Sequence, residues 1–275
     1  MPRPRAVTTR WLVRFGYDGS SFAGWARQPA RRTVEGEILA GLRRAGLEGD
    51  GSATRVEVAS RTDRGVSARA NALLIDSPLP GAALLRLLNG LSPEIFFAAA
   101  SPVSEAFRLR SPTRRVYRYF EPWNGEHEDR WRSAARLFRG PVDVRTFGRG
   151  FSGSRPTFRE LESVSIRSIP GGLEIDAIAR SFVWGMVRKI VSALREHAEG
   201  RVSLSRLELA IAGKERLSLP LANPERLVLW DVEYPISWQH HRAGPSRRQA
   251  SWQRGAIDGQ WARAAILRSL IESTA

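Results

Sequence analysis

One aspartate lies in a short polar segment whose residue types suit chemistry. Residues 60–68 read Ser-Arg-Thr-Asp-Arg-Gly-Val-Ser-Ala, so Asp63 lies between Arg61 and Arg64. Gly65 permits a backbone turn that is closed to other residues, and such a turn would fix the position of Asp63. The two guanidinium groups favour the ionised carboxylate. A fixed, ionised carboxylate can act as a nucleophile or a general base, but these residues also suit a surface turn with a solvated ion pair.

The elements around this segment predict how it is positioned. Residues 55–59 alternate between polar and apolar side chains, which predicts a half-buried strand. A second apolar run follows at 72–75, so that the segment joins two strands. Upstream, the alternation in residues 11–17 predicts a first strand, and Asp18-Gly19 is a strong turn signal at its end.

A helix is predicted between these strands, over residues 33–46. Thr33 suits the N-cap, and Gly46 suits the residue that ends the helix. Val34, Ile38 and Leu42 recur every four residues and should pack on a sheet. The order strand, turn, helix, strand predicts an α+β fold.

A second informative stretch is the predicted strand at residues 114–120. Alternation places Tyr117 and Tyr119 on one face and Arg118 on the other. A tyrosine ring can stack on an unpaired base while its hydroxyl donates or accepts a hydrogen bond. The ordinary alternative is a core tyrosine whose hydroxyl has a partner.

The third stretch, residues 181–191, combines an apolar pattern with a cation. Phe182, Met186 and Ile190 have helical spacing and are predicted to be buried on one helix face. Arg188 lies within this run and requires a partner there, because an unpaired buried charge is costly. Alternatively, the Arg188 side chain donates a hydrogen bond to a backbone carbonyl or extends into solvent.

Charge and composition indicate which class of molecule the protein binds. The 275 residues include 43 basic and 28 acidic side chains, a net charge of +15, and only Lys189 and Lys214 are lysines. Arginine binds phosphate in a bidentate manner and stacks on bases, so we predict a nucleic acid partner. Cysteine is absent and the four histidines lack metal-ligand spacing, which excludes disulfides, thiol nucleophiles and cysteine-ligated zinc.

The organisation of the chain suggests two domains. Proline, glycine and charged residues break the pattern near 122–128, so we predict domains at 8–121 and 122–236 and an extension of unknown role at 237–275. No long apolar span predicts a transmembrane helix, and the first residues lack the apolar core of a signal peptide. We therefore expect a cytoplasmic protein.

These three stretches together resemble the TruA family of tRNA pseudouridine synthases. The family signature Arg-Thr-Asp-x-Gly-Val matches residues 61–66, its Arg-x-Tyr-x-Tyr strand matches 115–119, and its Met-Val-Arg-x-Ile-Val helix matches 186–191. The N-terminal Tyr-Asp-Gly and Gly-Trp-x-x-Gln motifs match 17–19 and 24–28. Several motifs in the family's order are far more specific than any one of them.

The resemblance implies a fold, a reaction and roles for particular residues. It implies two α/β-sandwich-like domains with mainly antiparallel sheets flanked by helices and a catalytic cleft between them, in a homodimer. It implies conversion of uridine to pseudouridine in tRNA, in the anticodon stem-loop at positions 38–40, with no metal or organic cofactor. Asp63 would be catalytic, Tyr117 would contact the target base, and Arg61 and Arg188 would keep Asp63 ionised and help flip the nucleotide.

Departures from the family pattern keep two alternatives open. Ser67 stands where many bacterial members have histidine, Ser60 where glycine is common, and Trp184-Gly185 is more similar to archaeal and eukaryotic branches. Those branches differ in the uridines that they modify. The alternatives are a pseudouridine synthase for other uridines of tRNA or RNA, and a non-catalytic RNA-binding or RNA-folding protein of this lineage. A DNA-binding protein is less favoured, because no helix-turn-helix or zinc module is recognisable.

Overall fold

The computed structural model describes residues 8–47, 56–149 and 157–241, together with Gln249. The chain divides into two compact units, one formed by Met1–Pro112 with Tyr234–Ala275 and the other by Thr113–Glu233. Both units combine helices with antiparallel strand pairs. The predicted α+β class is therefore confirmed.

In its described residues the first unit contains four strands and two α-helices. Their bounds are β1 Thr9–Tyr17, α1 Val34–Arg44, β2 Glu57–Val58, β3 Ser67–Ser77, α2 Gly81–Asn89 and β4 Ile95–Pro102. β1 pairs with both β4 and β3, and β2 pairs with the other side of β3. A 3-10 turn at Gly19–Ser21 follows β1 directly.

Local sequence signals explain why α1 forms where predicted. The Thr33 side chain accepts a hydrogen bond from the Gly36 N–H at 3.2 Å and so caps the first turn. Val34, Ile38 and Leu42 are fully buried. Burying this one apolar stripe stabilises the helix more than its intrinsic propensity does.

In its described residues the second unit contains five strands and four α-helices. Their bounds are β5 Arg114–Pro122, α3 Glu128–Arg136, β6 Gly140–Asp143, α4 Val144–Phe147, β7 Phe158–Ile169, β8 Gly172–Ala179, α5 Met186–Ala198, α6 Leu204–Ile211 and β9 Leu227–Glu233. The sheet order is β9-β5-β8-β7-β6, with antiparallel pairing throughout this path. β5 thus lies between two partners, and α3 and α5 pack against each other.

The sequence break at residues 122–128 marks the end of β5. The passage from the first unit to the second lies earlier, between Pro112 and Thr113, and the described residues after Tyr234 belong to the first unit. The domain limits 8–121 and 122–236 stay predictions about independently folding parts. Residues 261–271, whose pattern suits a helix within the predicted extension, lie outside the described residues.

None of the helices in the described ranges has both the length and the hydropathy needed to cross a bilayer.

Candidate active site

Asp63 lies in the loop that joins β2 to β3. The loop turns at Gly65, whose φ of +83° favours glycine. The Val66 N–H donates to the Asp63 carbonyl oxygen at 3.1 Å and closes the turn. The Asp63 side chain is half-buried, while Arg61 and Arg64 are exposed. The backbone therefore fixes the aspartate, and two cations flank it in the chain.

A second segment, which we call the N-terminal clamp, holds this loop. The clamp consists of Tyr17, Gly19, Gly24 and Trp25. The Tyr17 hydroxyl lies 2.7 Å from the buried Thr62 Oγ1, and the Trp25 N–H donates to the Thr62 carbonyl oxygen at 3.1 Å. The Gly19 N–H donates to Ser67 Oγ at 3.0 Å. The backbone on both sides of Asp63 is thus tied to the end of β1 and the segment after it.

The two glycines of the clamp allow close approach of the two backbones. A Cβ atom added at Gly19 would lie 2.2 Å from the Val66 carbonyl oxygen. Gly24 has a φ of +104°, and a Cβ there would lie 3.0 Å from the Thr62 carbonyl oxygen. Sequence reasoning used Asp18-Gly19 as a turn signal and as part of a family motif, and it missed this contact. The signal that could have revealed it is the second glycine, which the turn does not require.

Tyr117 lies in the middle of β5. It pairs with Ala177 of β8 and Leu229 of β9, and the register with β9 shifts just before it. Its ring is half-buried and meets the Phe182 ring edge-on, with centroids 5.2 Å apart. The ring therefore has a fixed orientation and retains some exposed surface, as a base-contacting tyrosine requires.

Phe182 does not lie on α5, which corrects one prediction. The helix begins at Met186, and Gly185 before it has a φ of +75°. Met186 and Ile190 are fully buried as expected, whereas Phe182 is half-buried in the segment that precedes the helix. The four-residue spacing extended the predicted helix too far, because a left-handed glycine interrupts it.

Arg188 lies in the first turn of α5. Its Nε donates to the Ala222 carbonyl oxygen at 2.6 Å, and the Ala222 N–H donates back to the Arg188 carbonyl oxygen at 3.3 Å. These two bonds fix both ends of the residue. The predicted alternative of a bond to a backbone carbonyl is thus observed through Nε.

Comparison with known proteins decides the family. A family model described as tRNA pseudouridine synthase matches residues 134–235. The tRNA pseudouridine synthase A of Thermococcus kodakarensis is 37% identical over 225 residues, which are 81% of this chain and 84% of the relative. The chain belongs to the tRNA pseudouridine synthase A family.

Two further members of the tRNA pseudouridine synthase A family are similarly related. The relative from Pyrococcus furiosus is 35% identical over 228 residues, covering 82% of this chain and 84% of its own. The relative from Methanothermobacter thermautotrophicus is 33% identical over 229 residues, covering 82% and 81%. A solved Cbf5-Nop10-Gar1 complex aligns with 66% of this chain and 52% of that chain, at 11% identity and a TM-score of 0.34, which is too low to support a conclusion.

As a member of the tRNA pseudouridine synthase A family, the protein is an isomerase. Four residues were predicted to form its site, and each unit contains two of them. Asp63 and Arg61 lie in the first unit, and Tyr117 and Arg188 lie in the second. The predicted contact between Arg188 and Asp63 stays a prediction.

The opposite face of β5 carries a structural ion pair. Arg118 donates through Nε and Nη2 to the two carboxylate oxygens of Asp176, at 2.7 Å each, and its guanidinium lies 4.0 Å from the Trp230 ring centroid. Burial lowers the pKa of Arg118, but the hydrogen bonds and charges of Asp176 and Glu174 outweigh burial and raise it overall. This arginine is therefore fully engaged within its own sheet.

A cavity of about 480 Å³ lies at the far end of β5. Its lining includes Trp123, Trp131 and the Glu121–Arg195 ion pair, whose two hydrogen bonds measure 2.9 and 2.8 Å. Tyr117 is not among the lining residues, so this cavity is not the candidate active site. Across the described ranges, no group of three or more His, Cys, Asp or Glu side chains is placed to hold a metal ion.

Removing the buried hydroxyl contact between the clamp and the loop should destabilise the protein. Tyr17→Phe and Thr62→Val each leave one buried partner without its hydrogen bond, so each should lower the free energy of unfolding by about 1–3 kcal/mol. The double variant should lose clearly less than the sum, because the contact is already broken in either single variant. Urea denaturation of the four proteins measures this coupling, and strict additivity would show that the two hydroxyls do not interact.

Proposed function

We propose that the protein converts uridine to pseudouridine in tRNA, within the anticodon stem-loop at positions 38–40. The observation that carries this proposal is the Asp63 loop, which bears the family's central signature and is fixed by the clamp at Thr62 and Ser67. Anchoring a catalytic loop through buried backbone contacts is how an enzyme pre-orients a reactive carboxylate.

The reaction is an isomerisation, so the composition of the substrate does not change. The N1–C1′ glycosidic bond breaks, the detached uracil turns within the site, and a C5–C1′ bond forms. The hydrogen at C5 leaves as a proton, and N1 gains one. The protein must therefore stabilise the sugar while the base is detached, retain the uracil, and accept the C5 proton.

We assign these tasks to four side chains. Asp63 acts either as a nucleophile on the substrate or as a general base for a proton. Tyr117 presents its ring to the uracil and can assist removal of the proton. Arg61 and Arg188 supply positive charge for the Asp63 carboxylate and for substrate phosphate, and they help flip the nucleotide.

The experiment that tests this proposal maps pseudouridine in unmodified tRNA transcripts after incubation with the purified protein. Pseudouridine has the mass of uridine, so the sites are read as reverse-transcription stops after carbodiimide treatment. We expect stops in the anticodon stem-loop. Stops only in other arms would favour a different uridine specificity, and no new stop in any transcript would favour the non-catalytic RNA-binding alternative.

The charge of the chain leads to a prediction about salt. A net charge of +15 implies several contacts to phosphates. With about five such contacts, log Kd for tRNA should rise with log salt with a slope of about 4, because binding releases condensed counterions. Filter binding at several potassium chloride concentrations gives the slope, with sucrose at matched osmolarity as the control. A flat response would mean that the basic residues lie away from the RNA.

We also propose that the protein acts as a cytoplasmic homodimer. Family membership supports the homodimer, because the resemblance to the family implies that state. Sedimentation equilibrium of the purified chain distinguishes a species of twice 30.7 kDa from a monomer.

A further inference from the structure

Trp184 presents an unusually exposed aromatic ring in the second unit. It is 55% exposed, and within the described residues the other exposed large apolar side chains are Leu209 and Phe158, at 43% and 40%. It lies in the segment between β8 and α5, just before Gly185 and its left-handed backbone. Keeping an indole ring in water forgoes the free energy of burying a large apolar surface, and such exposed apolar surface often marks a binding site.

The ring is fixed by Arg149. The guanidinium carbon of Arg149 lies 4.8 Å from the indole centroid, and the Arg149 N–H donates to the Trp184 carbonyl oxygen at 2.9 Å. The chain before Arg149 packs equally closely, because a Cβ added at Gly148 would lie 2.7 Å from Val183 Cγ2. Backbone and side chain thus set the orientation of the ring before any ligand arrives, which lowers the entropy lost on binding.

Arg149, which lies over this ring, belongs to a cluster of three cations. Burial lowers the pKa of Lys189, and the charges of Arg149 and Arg216 lower it further. None of the three forms a salt bridge with a carboxylate in the described ranges. The charge of Arg216 does act on Asp143, but Asp143 is already paired with Arg145 at 2.7 Å (Oδ2 to Nε). Like charges held together with no salt bridge of their own favour the binding of an anion such as phosphate.

The same segment also carries the contact to Tyr117. Phe182, two residues before Trp184, packs edge-on against the Tyr117 ring at 5.2 Å. The exposed indole and the candidate base-contacting tyrosine are therefore linked through one short stretch of chain within one unit. A nucleotide chain that presents its target base to Tyr117 has its neighbouring nucleotides within reach of Trp184.

We propose that Trp184 stacks on an unpaired base of the substrate tRNA close in sequence to the target uridine, while Arg149, Lys189 and Arg216 bind the adjoining phosphates. This inference rests on the proposed function, in which tRNA is the substrate. The stacking contact helps to select the nucleotides next to the target uridine. The Arg149 guanidinium supports the ring and the base lies against its exposed surface, an arrangement that every base can enter because every base has a π-face.

The test is a scan for bases that matter to binding. Unmodified tRNA carrying on average one randomly placed abasic nucleotide per molecule is divided into bound and free fractions by the wild-type protein, by Trp184→Ala and by Trp184→Phe. We expect Trp184→Ala to raise Kd for intact tRNA about fivefold or more. We also expect this variant to lose sensitivity at one abasic position that weakens wild-type binding, and Trp184→Phe to retain that sensitivity.

Controls separate this contact from folding and from catalysis. Leu209→Ala removes an exposed apolar side chain from α6 and should leave Kd unchanged. Arg149→Gln, Lys189→Gln and Arg216→Gln should each reduce the salt slope by about one. The scan reads binding alone, so a protein that forms no pseudouridine in the mapping experiment still gives a result here.

Two outcomes would overturn the proposal. One is a Trp184→Ala variant with the abasic profile and Kd of the wild type. The other is a variant that binds tRNA normally but changes its sedimentation, which would assign the ring to an interface between copies of the chain.

Discussion

Asp63→Asn is expected to lower the rate of pseudouridine formation at least about a thousandfold, because it removes the one carboxylate of the central motif. The amide is nearly the same size, but it is neither a nucleophile nor a base at neutral pH. The clamp contacts involve Thr62 and Ser67 rather than the Asp63 side chain, so the loop should keep its shape. Single-turnover release of tritium from [5-³H]uridine-labelled tRNA measures the rate, since the reaction expels the C5 hydrogen.

Asp76→Asn is the matched control for this substitution. Asp76 lies on β3 in the same unit, is exposed, and pairs with Arg10 at 3.2 Å. An exposed ion pair contributes little to stability, so the control should keep the wild-type rate of pseudouridine formation. The dissociation constant for tRNA should change by less than about threefold in both variants, because one charge among many alters binding only modestly. Rapid tritium release by Asp63→Asn would remove the catalytic assignment.

Gly19→Ala should lower the rate about a hundredfold without touching any side chain of the candidate active site. The added Cβ would lie 2.2 Å from the Val66 carbonyl oxygen and 2.8 Å from the Ser67 nitrogen, and both are backbone atoms. One of the two backbones must shift, and the clash falls on Val66 and Ser67, which continue directly from the Asp63 turn. A displacement of about 1 Å in a catalytic group costs about two orders of magnitude in rate. The overpacking should also cost about 1–3 kcal/mol of stability.

Gly46→Ala distinguishes displacement of the loop from general loss of stability. Gly46 follows α1 with a φ of +70°, and no described atom lies within 4 Å of its added Cβ. Backbone strain alone should lower the free energy of unfolding by about 1–2 kcal/mol. The rate of pseudouridine formation should not change at a temperature where the protein is folded. Tritium release and thermal unfolding of both variants provide the comparison. A Gly19→Ala variant with wild-type turnover would show that the clamp does not position Asp63.

Elements with local signals could be predicted from the sequence. The cap at Thr33, the apolar stripe of α1 and the left-handed Gly46 at its end are all written within fourteen consecutive residues. The β7–β8 hairpin likewise follows from alternation on both sides of Pro170-Gly171-Gly172. In each of these cases the residues that specify the element are also the residues that form it.

Elements specified by distant contacts could not be predicted in this way. The start of α5 depends on the backbone of Gly185, and the apolar spacing from Phe182 onward conceals it. The clamp joins Tyr17 and Gly19 to a loop more than forty residues away, so no window of the sequence contains both sides. Periodicity describes which face of an element is apolar and does not describe what that face contacts.

The candidate site shows the same division. Asp63, Tyr117 and Arg188 were identified by motifs, because each motif is a short run of residues. The sequence did not identify Ala222 as the residue whose carbonyl accepts from Arg188, nor the edge-on packing of Phe182 on Tyr117, since both contacts arise only when separate segments pack together. These contacts determine how the two side chains are oriented.

The most direct test of the central claim is the structure of the Asp63→Asn variant bound to unmodified tRNA. We expect one uridine turned out of its helix or loop, with its sugar or C5 next to the side chain at position 63 and its base against the Tyr117 ring. Arg188 should lie within hydrogen-bonding distance of position 63 or of a phosphate beside that uridine. A uridine bound elsewhere, or one that contacts Tyr117 while position 63 faces away from it, would contradict the account.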